Sequence, residues 1–197
     1  MNEDAAQSAL DQVFLSARTF NKFSDRPVDE ATLRRLHDLL KWGPTSLNCQ
    51  PLRLVFVQSA AAKQRLQPAL SANNAPKTMA APVTAIVAYD SRFYEHLPSQ
   101  FPAMPTMGQM FAGNEALARE TALRNGSLQG AYLIIAARLL GLDAGPMSGF
   151  DAAKVDAEFF SDGRWHANFL VNLGYGDASG NRPRGPRLAF EQVARIE

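Results

Sequence analysis

The chain has 197 residues, 46% of them hydrophobic, and a formal net charge of +1. That length suits one domain with a substantial core, and the near-neutral balance implies no large basic surface for nucleic acid, while leaving room for local basic clusters. Cys49 is the only cysteine, so no intrachain disulfide forms, and the acidic, polar start MNEDAAQSAL is unlike a targeting segment; both features read as cytoplasmic.

In chain order, Glu3 to Ala17 reads as a helix with Ala6, Leu10, Val13 and Phe14 on one side. A polar, charged turn follows, ARTFNKFSDRPV. Asp29 then caps a helix that carries Leu33, Leu36, Leu39 and Leu40 at helical spacing, and Gly43-Pro44 stops it. Arg53 to Val57 reads as a strand, Ala60 to Ala69 as a short helix, and Pro82 to Tyr89 as a strand buried on both faces. Residues 91 to 113 are rich in Pro, Met, Phe and Gly and lack clean periodicity. They read as a functional excursion such as a lid, or as an ordinary surface loop.

Asn114 to Leu140 is the longest helix, and its nearly apolar second half marks it as the central core helix, ended by Gly141. Its strongly apolar run, Ala131 to Ala137, is far below the roughly 20 residues that span a bilayer. A small helix begins at Asp151, and Phe169 to Leu173 reads as a strand. The tail NRPRGPRLAFEQVARIE is basic and too rich in proline for a central strand. Strands and helices intermingle without regular βαβ alternation, so the expected class is α+β, a small central sheet with helices on both faces.

Several chemistries are absent. There is no GxxxxGK(S/T) loop, no GxSxG elbow, no HExxH and no CxxC pair. Gly174, Gly176 and Gly180 have the wrong spacing for a dinucleotide fingerprint. His37, His96 and His166 are too scattered for a metal triad. Ser148 is a weak nucleophile candidate, because no motif supplies it with a base.

Three polar clusters remain: Arg18-Thr19-Phe20-Asn21, the loop Pro44 to Pro51 (PTSLNCQP), and Arg182 to Arg187 (RPRGPR). Arginines from both ends of the chain suit a phosphate, because guanidinium groups bind it bidentately and stay charged. The Thr/Ser/Asn loop offers donors and acceptors for a polyol or heterocycle. The segment Gly145-Pro146-Met147-Ser148-Gly149-Phe150 has the small residues that let backbone lie against a flat ring. Each cluster also has an ordinary reading, as a helix terminus, a turn with a cap, and a solvated tail.

In order, ARTFNKFSDRPV, PTSLNCQP, GLDAGPMSGF, LGYG and the Arg/Pro tail resemble the FMN-dependent nitroreductase family across nearly the whole chain. Within it, ARTFN, KWGPTSLNCQP, PALSANNAPKT, APVTAIVA and GPMSGFD are similar to the malonic semialdehyde reductase group of uracil degradation. The resemblance implies a nitroreductase-like fold with a mostly antiparallel sheet in an intertwined homodimer. It implies one domain over 1–197 whose C-terminal arm, from about residue 177, packs on the partner.

By the same resemblance, FMN lies at the subunit interface. Arg18, Thr19 and Asn21 line its ribityl and phosphate side, and Arg184 with Arg182 or Arg187 completes the phosphate grip. Pro44, Thr45, Ser46 and Asn48 come from the partner. Asn74 and Lys77 sit beside the pyrimidine ring, where an ammonium stabilises the charge of reduced flavin. Pro146, Met147 and Ser148 lie along the cofactor, and the N–H of Gly149 meets flavin N5. Lys77 and Gly149 are thus the implied catalytic groups. Ala17, Asn21 and Ser148 depart from residues common in the family (Arg, Lys or Arg, and Glu), as they do in the semialdehyde reductase group.

The implied reaction is ping-pong. NADH or NADPH delivers hydride, and a small aldehyde accepts it, with no membrane or nucleic-acid partner. The alternatives are a broad nitro- or quinone-reducing enzyme, a non-enzymatic flavin-binding module, and a Ser148 hydrolase.

Overall fold

The computed structural model describes residues 3–197; Met1 and Asn2, the start of the polar stretch MNEDAAQSAL, lie outside them. The sheet consists of β1 (Leu52–Val57), β2 (Val83–Asp90), β3 (Asp143–Met147) and β4 (Trp165–Gly174). It is antiparallel throughout, in the order β1-β2-β4-β3. β2 is buried along its whole length, as its mostly apolar sequence suits a strand covered on both faces; the polar exceptions, Thr84 and Asp90, are buried with it.

The two-residue period of β2 divides the core. Val83, Ala85 and Val87 meet Leu33, Leu36 and Leu40 of α2 (Glu30–Leu40) and Leu133 and Ala137 of α7 (Glu115–Leu139). Ile86 and Ala88 point the other way, to Leu66 of α3 (Ala60–Leu66) and Val155 of α8 (Ala152–Phe159). Helices therefore cover both faces, as expected. Asp29 caps α2 by accepting from the Thr32 N–H at 2.7 Å. Asn114 caps α7 by accepting from the Leu117 N–H at 3.0 Å, and Gly141 ends it with φ +78°.

Several elements differ from the sequence reading. The first helix is α1 (Glu3–Leu10) followed by a π-helical turn, Asp11–Leu15, and stops short of Ala17. The helix read as Ala60 to Ala69 tightens to a 3₁₀ turn at Gln67–Ala69, where Pro68 cannot donate. β4 begins four residues earlier than read, β3 was not foreseen, and neither was α4 (Ala75–Ala80).

Residues 91 to 113 are not a structureless loop. They hold a 3₁₀ turn at Phe93–His96, α5 (Leu97–Gln100) and α6 (Gly108–Ala112). Phe93, Leu97 and Phe111 build a third core with Cys49, Tyr89, Ala118 and Ala122. The Phe93 and Phe111 rings meet edge-to-face at 5.0 Å. The tail stays exposed, with a short α9 (Phe190–Val193). Among the described residues, no helix is long and apolar enough to cross a membrane.

Candidate active site

The segment after α1 runs beside β3. Thr19 bridges to Ala144, and the Phe20 N–H donates to the Ala144 carbonyl at 3.1 Å. The tail arrives on the same side. Arg184 donates to the carbonyls of Leu15 (2.7 Å) and Ala17 (2.9 Å), and Arg18 donates to the carbonyl of Arg182. The two ends of the chain thus enclose a cleft of about 420 Å³, lined by Arg18, Thr19, Asn21, Arg182, Arg184 and Arg187, together with Arg138. Arg187 also donates to the carbonyls of Gly185 and Pro186, so part of its capacity is spent on its own tail.

Arg138 escaped the sequence reading, because it interrupts the apolar end of α7 and looks like a helix-terminal cation. It is half-buried and donates to the Val13 carbonyl at 3.0 Å. Burial holds its guanidinium below the ordinary arginine range; Asp143 opposes that shift and the charge of Arg184 adds to it.

The wall continues from Asn21, whose side-chain oxygen accepts from Lys77 Nζ at 3.2 Å. Burial, and then the charge of Arg182, lower the Lys77 pKa, which ties this ammonium to the arginine cleft. One turn back, Asn74 Nδ2 donates to the Gly149 carbonyl at 2.9 Å, and the Ser71 N–H donates to it at 3.1 Å. A Cβ at residue 149 would come within 2.6 Å of Asn74 Nδ2, so glycine is the residue that permits this approach. The Gly149 carbonyl is occupied, while its N–H has no acceptor among the described residues.

Pro146 and Met147 belong to β3. Met147 turns its side chain into the second core, where its sulfur accepts from the Thr78 hydroxyl at 3.4 Å; only its backbone is left for a ligand. Ser148 is exposed beside Gly149, and no histidine contacts it among the described residues.

The loop Pro44 to Pro51 lies elsewhere, and none of its residues lines the arginine cleft. Leu47, Asn48 and Gln50 hold φ of 54°, 50° and 40°, a left-handed run that non-glycine residues adopt at a cost and that clusters at functional sites. α7 holds the loop in place. Asn125 Oδ1 accepts from the Ser46 N–H at 2.8 Å, and Gln129 Oε1 accepts from the Leu52 N–H at 3.0 Å. Thr45 Oγ1 closes the turn by accepting from the Gln50 N–H at 3.2 Å. Asn48 Nδ2 and Gln50 Nε2 reach Gln100 of α5 at 2.9 Å each, locking the loop to the excursion. Burial raises the Cys49 thiol to about 11, so it stays protonated and unreactive.

The model for the Nitroreductase family matches residues 15–175. A protein of Burkholderia lata with the provisional name NADH dehydrogenase/NAD(P)H nitroreductase is 63% identical over 98% of both chains. A similarly named protein of Xanthomonas oryzae pv. oryzae is 57% identical over the full length of both. Among solved structures, a provisionally named nitroreductase from Exiguobacterium sibiricum, in complex with FMN, superposes with a TM-score of 0.83 at 17% identity, covering 94% of this chain and 96% of that one.

Proposed function

The chain belongs to the nitroreductase family, and on that premise we propose that it is a homodimeric, FMN-dependent NAD(P)H oxidoreductase that reduces malonic semialdehyde to 3-hydroxypropanoate. The observation that carries the flavin reading is the continuous wall from the arginine cleft through Asn21 and Lys77 to Asn74 and Gly149. One end is a concentrated positive charge and suits a phosphate; the other offers an ammonium and a free backbone N–H to a ring.

When bound, FMN supplies a centre that takes and gives hydride at N5. The chain's own groups bind and orient. Arg18, Arg138, Arg182 and Arg184 would hold the phosphate, with Arg187 at the rim. Thr19 and Asn21 would face the ribityl chain, and Asn21 also holds Lys77. Lys77 would place a cation beside a ring that gains electrons. Asn74 and the Ser71 N–H hold the Gly149 carbonyl, which anchors this residue beside the site while its own N–H stays available. Overall, a hydride passes from NADH or NADPH to the aldehyde carbon and a proton to its oxygen, in two half-reactions.

Pro44, Thr45, Ser46 and Asn48 would complete the site of a second copy. Phe14, Leu15, Trp42 (78% exposed), Leu128 and Leu139 are large apolar side chains left exposed, and a partner would cover them. The C-terminal arm, from about residue 177, would pack on that partner. Leu188, Phe190, Val193 and Ile196 are exposed along it, and the edge strand β1 borders an open groove of about 880 Å³ with α2. One domain over 1–197 and a cytoplasmic location belong to the same reading, resting on the sequence alone.

Motif similarity alone supports malonic semialdehyde. The names of the relatives favour a second reading, a broad nitro- or quinone-reducing enzyme. Turnover of NADH and NADPH with malonic semialdehyde, measured against a nitroaromatic and a quinone, separates the two. Faster turnover of the nitroaromatic by a wide margin would overturn the aldehyde reading. A protein that is colourless and takes up no added FMN would overturn the flavin reading.

A further inference from the structure

Among the described residues, Lys63 and Asp90 are the buried charged side chains. Asp90 is surrounded by ion-pair partners, Arg53 at 2.7 Å and Arg164 at 3.0 Å. Lys63, 4% exposed, has none. Its ammonium instead donates to neutral oxygens: the Thr78 carbonyl at 2.5 Å, the Ala81 carbonyl, and Thr84 Oγ1 at 3.4 Å. Burying a charge without a counter-charge is expensive, and a lysine is not needed to fill such a space. What it gains here is the negative end of α4, whose last carbonyls it holds.

α4 is only six residues long, too short to hold its shape alone. It carries Lys77 and is preceded by Asn74. From the same ammonium a buried polar chain leads to the opposite wall. The Thr84 hydroxyl donates to Asn172 Oδ1 at 2.8 Å, Asn172 Nδ2 donates to Thr78 Oγ1 at 3.4 Å, and the Thr78 hydroxyl donates to Met147 Sδ at 3.4 Å. Met147 lies two residues before Gly149. Both walls of the site, α4 and the end of β3, are thereby referred to one buried cation.

We propose that Lys63 is a positioning residue, which seats α4 against the Met147–Gly149 segment and so places Lys77 and Asn74 relative to the Gly149 N–H. Its seating role rests on this geometry alone; its effect on the cofactor rests on the flavin reading above. Lys63 touches no candidate ligand, so it acts only through α4 and the Thr84–Asn172 link toward Met147.

The test compares Lys63→Met and Lys63→Arg with Leu36→Ala, a core truncation on the other face of the sheet. Two quantities are read: amide exchange across residues 75 to 81 in cofactor-free protein, and the dissociation constant for FMN. Lys63→Met should speed exchange in that segment by about tenfold or more and weaken FMN by a similar factor, the loss of roughly one charge-assisted hydrogen bond. Lys63→Arg, which keeps the charge and donors, should restore most of both. Leu36→Ala should lower the melting temperature while leaving both near wild type. Unchanged exchange in Lys63→Met, or equal effects from Leu36→Ala, would overturn the proposal. Wild-type protein that binds no FMN would sink the flavin reading, while the exchange data still decide the seating of α4. If Lys63→Met does not fold, Thr84→Val removes one link of the chain and carries the same comparison.

Discussion

Asn74 and Gly149 fit each other at 2.9 Å, side-chain amide to carbonyl, with no room between them for a methyl group. Gly149→Ala should therefore push Asn74 aside. Overpacking of this kind costs about 1–3 kcal/mol. The expected outcome is a folded protein with a lowered melting temperature and sharply reduced FMN retention, read by thermal unfolding and flavin titration.

Arg184 ties the tail to Leu15 and Ala17 and lines the phosphate end of the cleft. Arg184→Ala should weaken FMN by roughly 10- to 100-fold, the range of a lost charge-assisted contact. Riboflavin, which has no phosphate, should lose far less. An equal loss for both ligands, measured by fluorescence quenching, would place the phosphate elsewhere.

Asp90 gives an acid limb to stability. Burial pushes its carboxyl up, but hydrogen bonds from Arg164 and the Arg92 N–H and the charges of Arg53 and Arg164 outweigh that and hold it below the ordinary carboxylate value. Its contribution is complete above the unfolded pKa, about 3.9, and is lost as pH falls through the lower folded value. Asp90→Asn should destabilise by about 3–5 kcal/mol at neutral pH, because two guanidinium groups lose their counter-charge. Denaturant titrations at pH 7 and pH 3.5 should show a smaller acid loss for the variant than for wild type.

Lys63 gives a limb of the same sign at alkaline pH. Burial lowers its pKa to about 8, so the folded chain releases this proton before the unfolded chain does. Stability from this group is then lost as pH falls through about 8 and regained toward the unfolded value near 10.4. Between pH 7.5 and 9.5, wild type should gain about 2 kcal/mol relative to Lys63→Arg, which stays charged throughout. Parallel denaturation curves for the two proteins would contradict this.

Leu128 is exposed on α7 and lies on the face proposed to pair. Leu128→Glu should leave the far-UV spectrum of the chain unchanged, shift its mass by light scattering from dimer to monomer, and reduce FMN binding with it. A monomeric wild type would contradict the pairing outright.

Much of this architecture is legible in the residues. Asp29 announces a helix because a short carboxylate satisfies its first N–H groups. Pro82 to Tyr89 announces a doubly covered strand because its residues are almost all apolar, on both faces alike. Other elements hide for physical reasons. β3 contains Gly145 and Pro146, poor strand formers that an edge tolerates once β4 supplies the ladder. α4 is too short for a period to show. Asn125, Gln129 and Arg138 look like defects in an apolar helix until their partners, 79, 77 and 125 residues away, are known. Such distant pairings leave no local pattern. The arginine cleft was foreseen as a cluster of residue types, while the arginine from α7 needed the fold.

The separation of the loop Pro44 to Pro51 from the arginine cleft has a genetic consequence. If each site borrows its loop from a neighbour, a chain damaged at Arg184 still lends a sound loop, and a chain damaged at Ser46 still offers a sound cleft. Mixed in one cell, two inactive alleles would form heterodimers in which one site inherits both lesions and the other inherits neither. Activity would return without either gene being repaired.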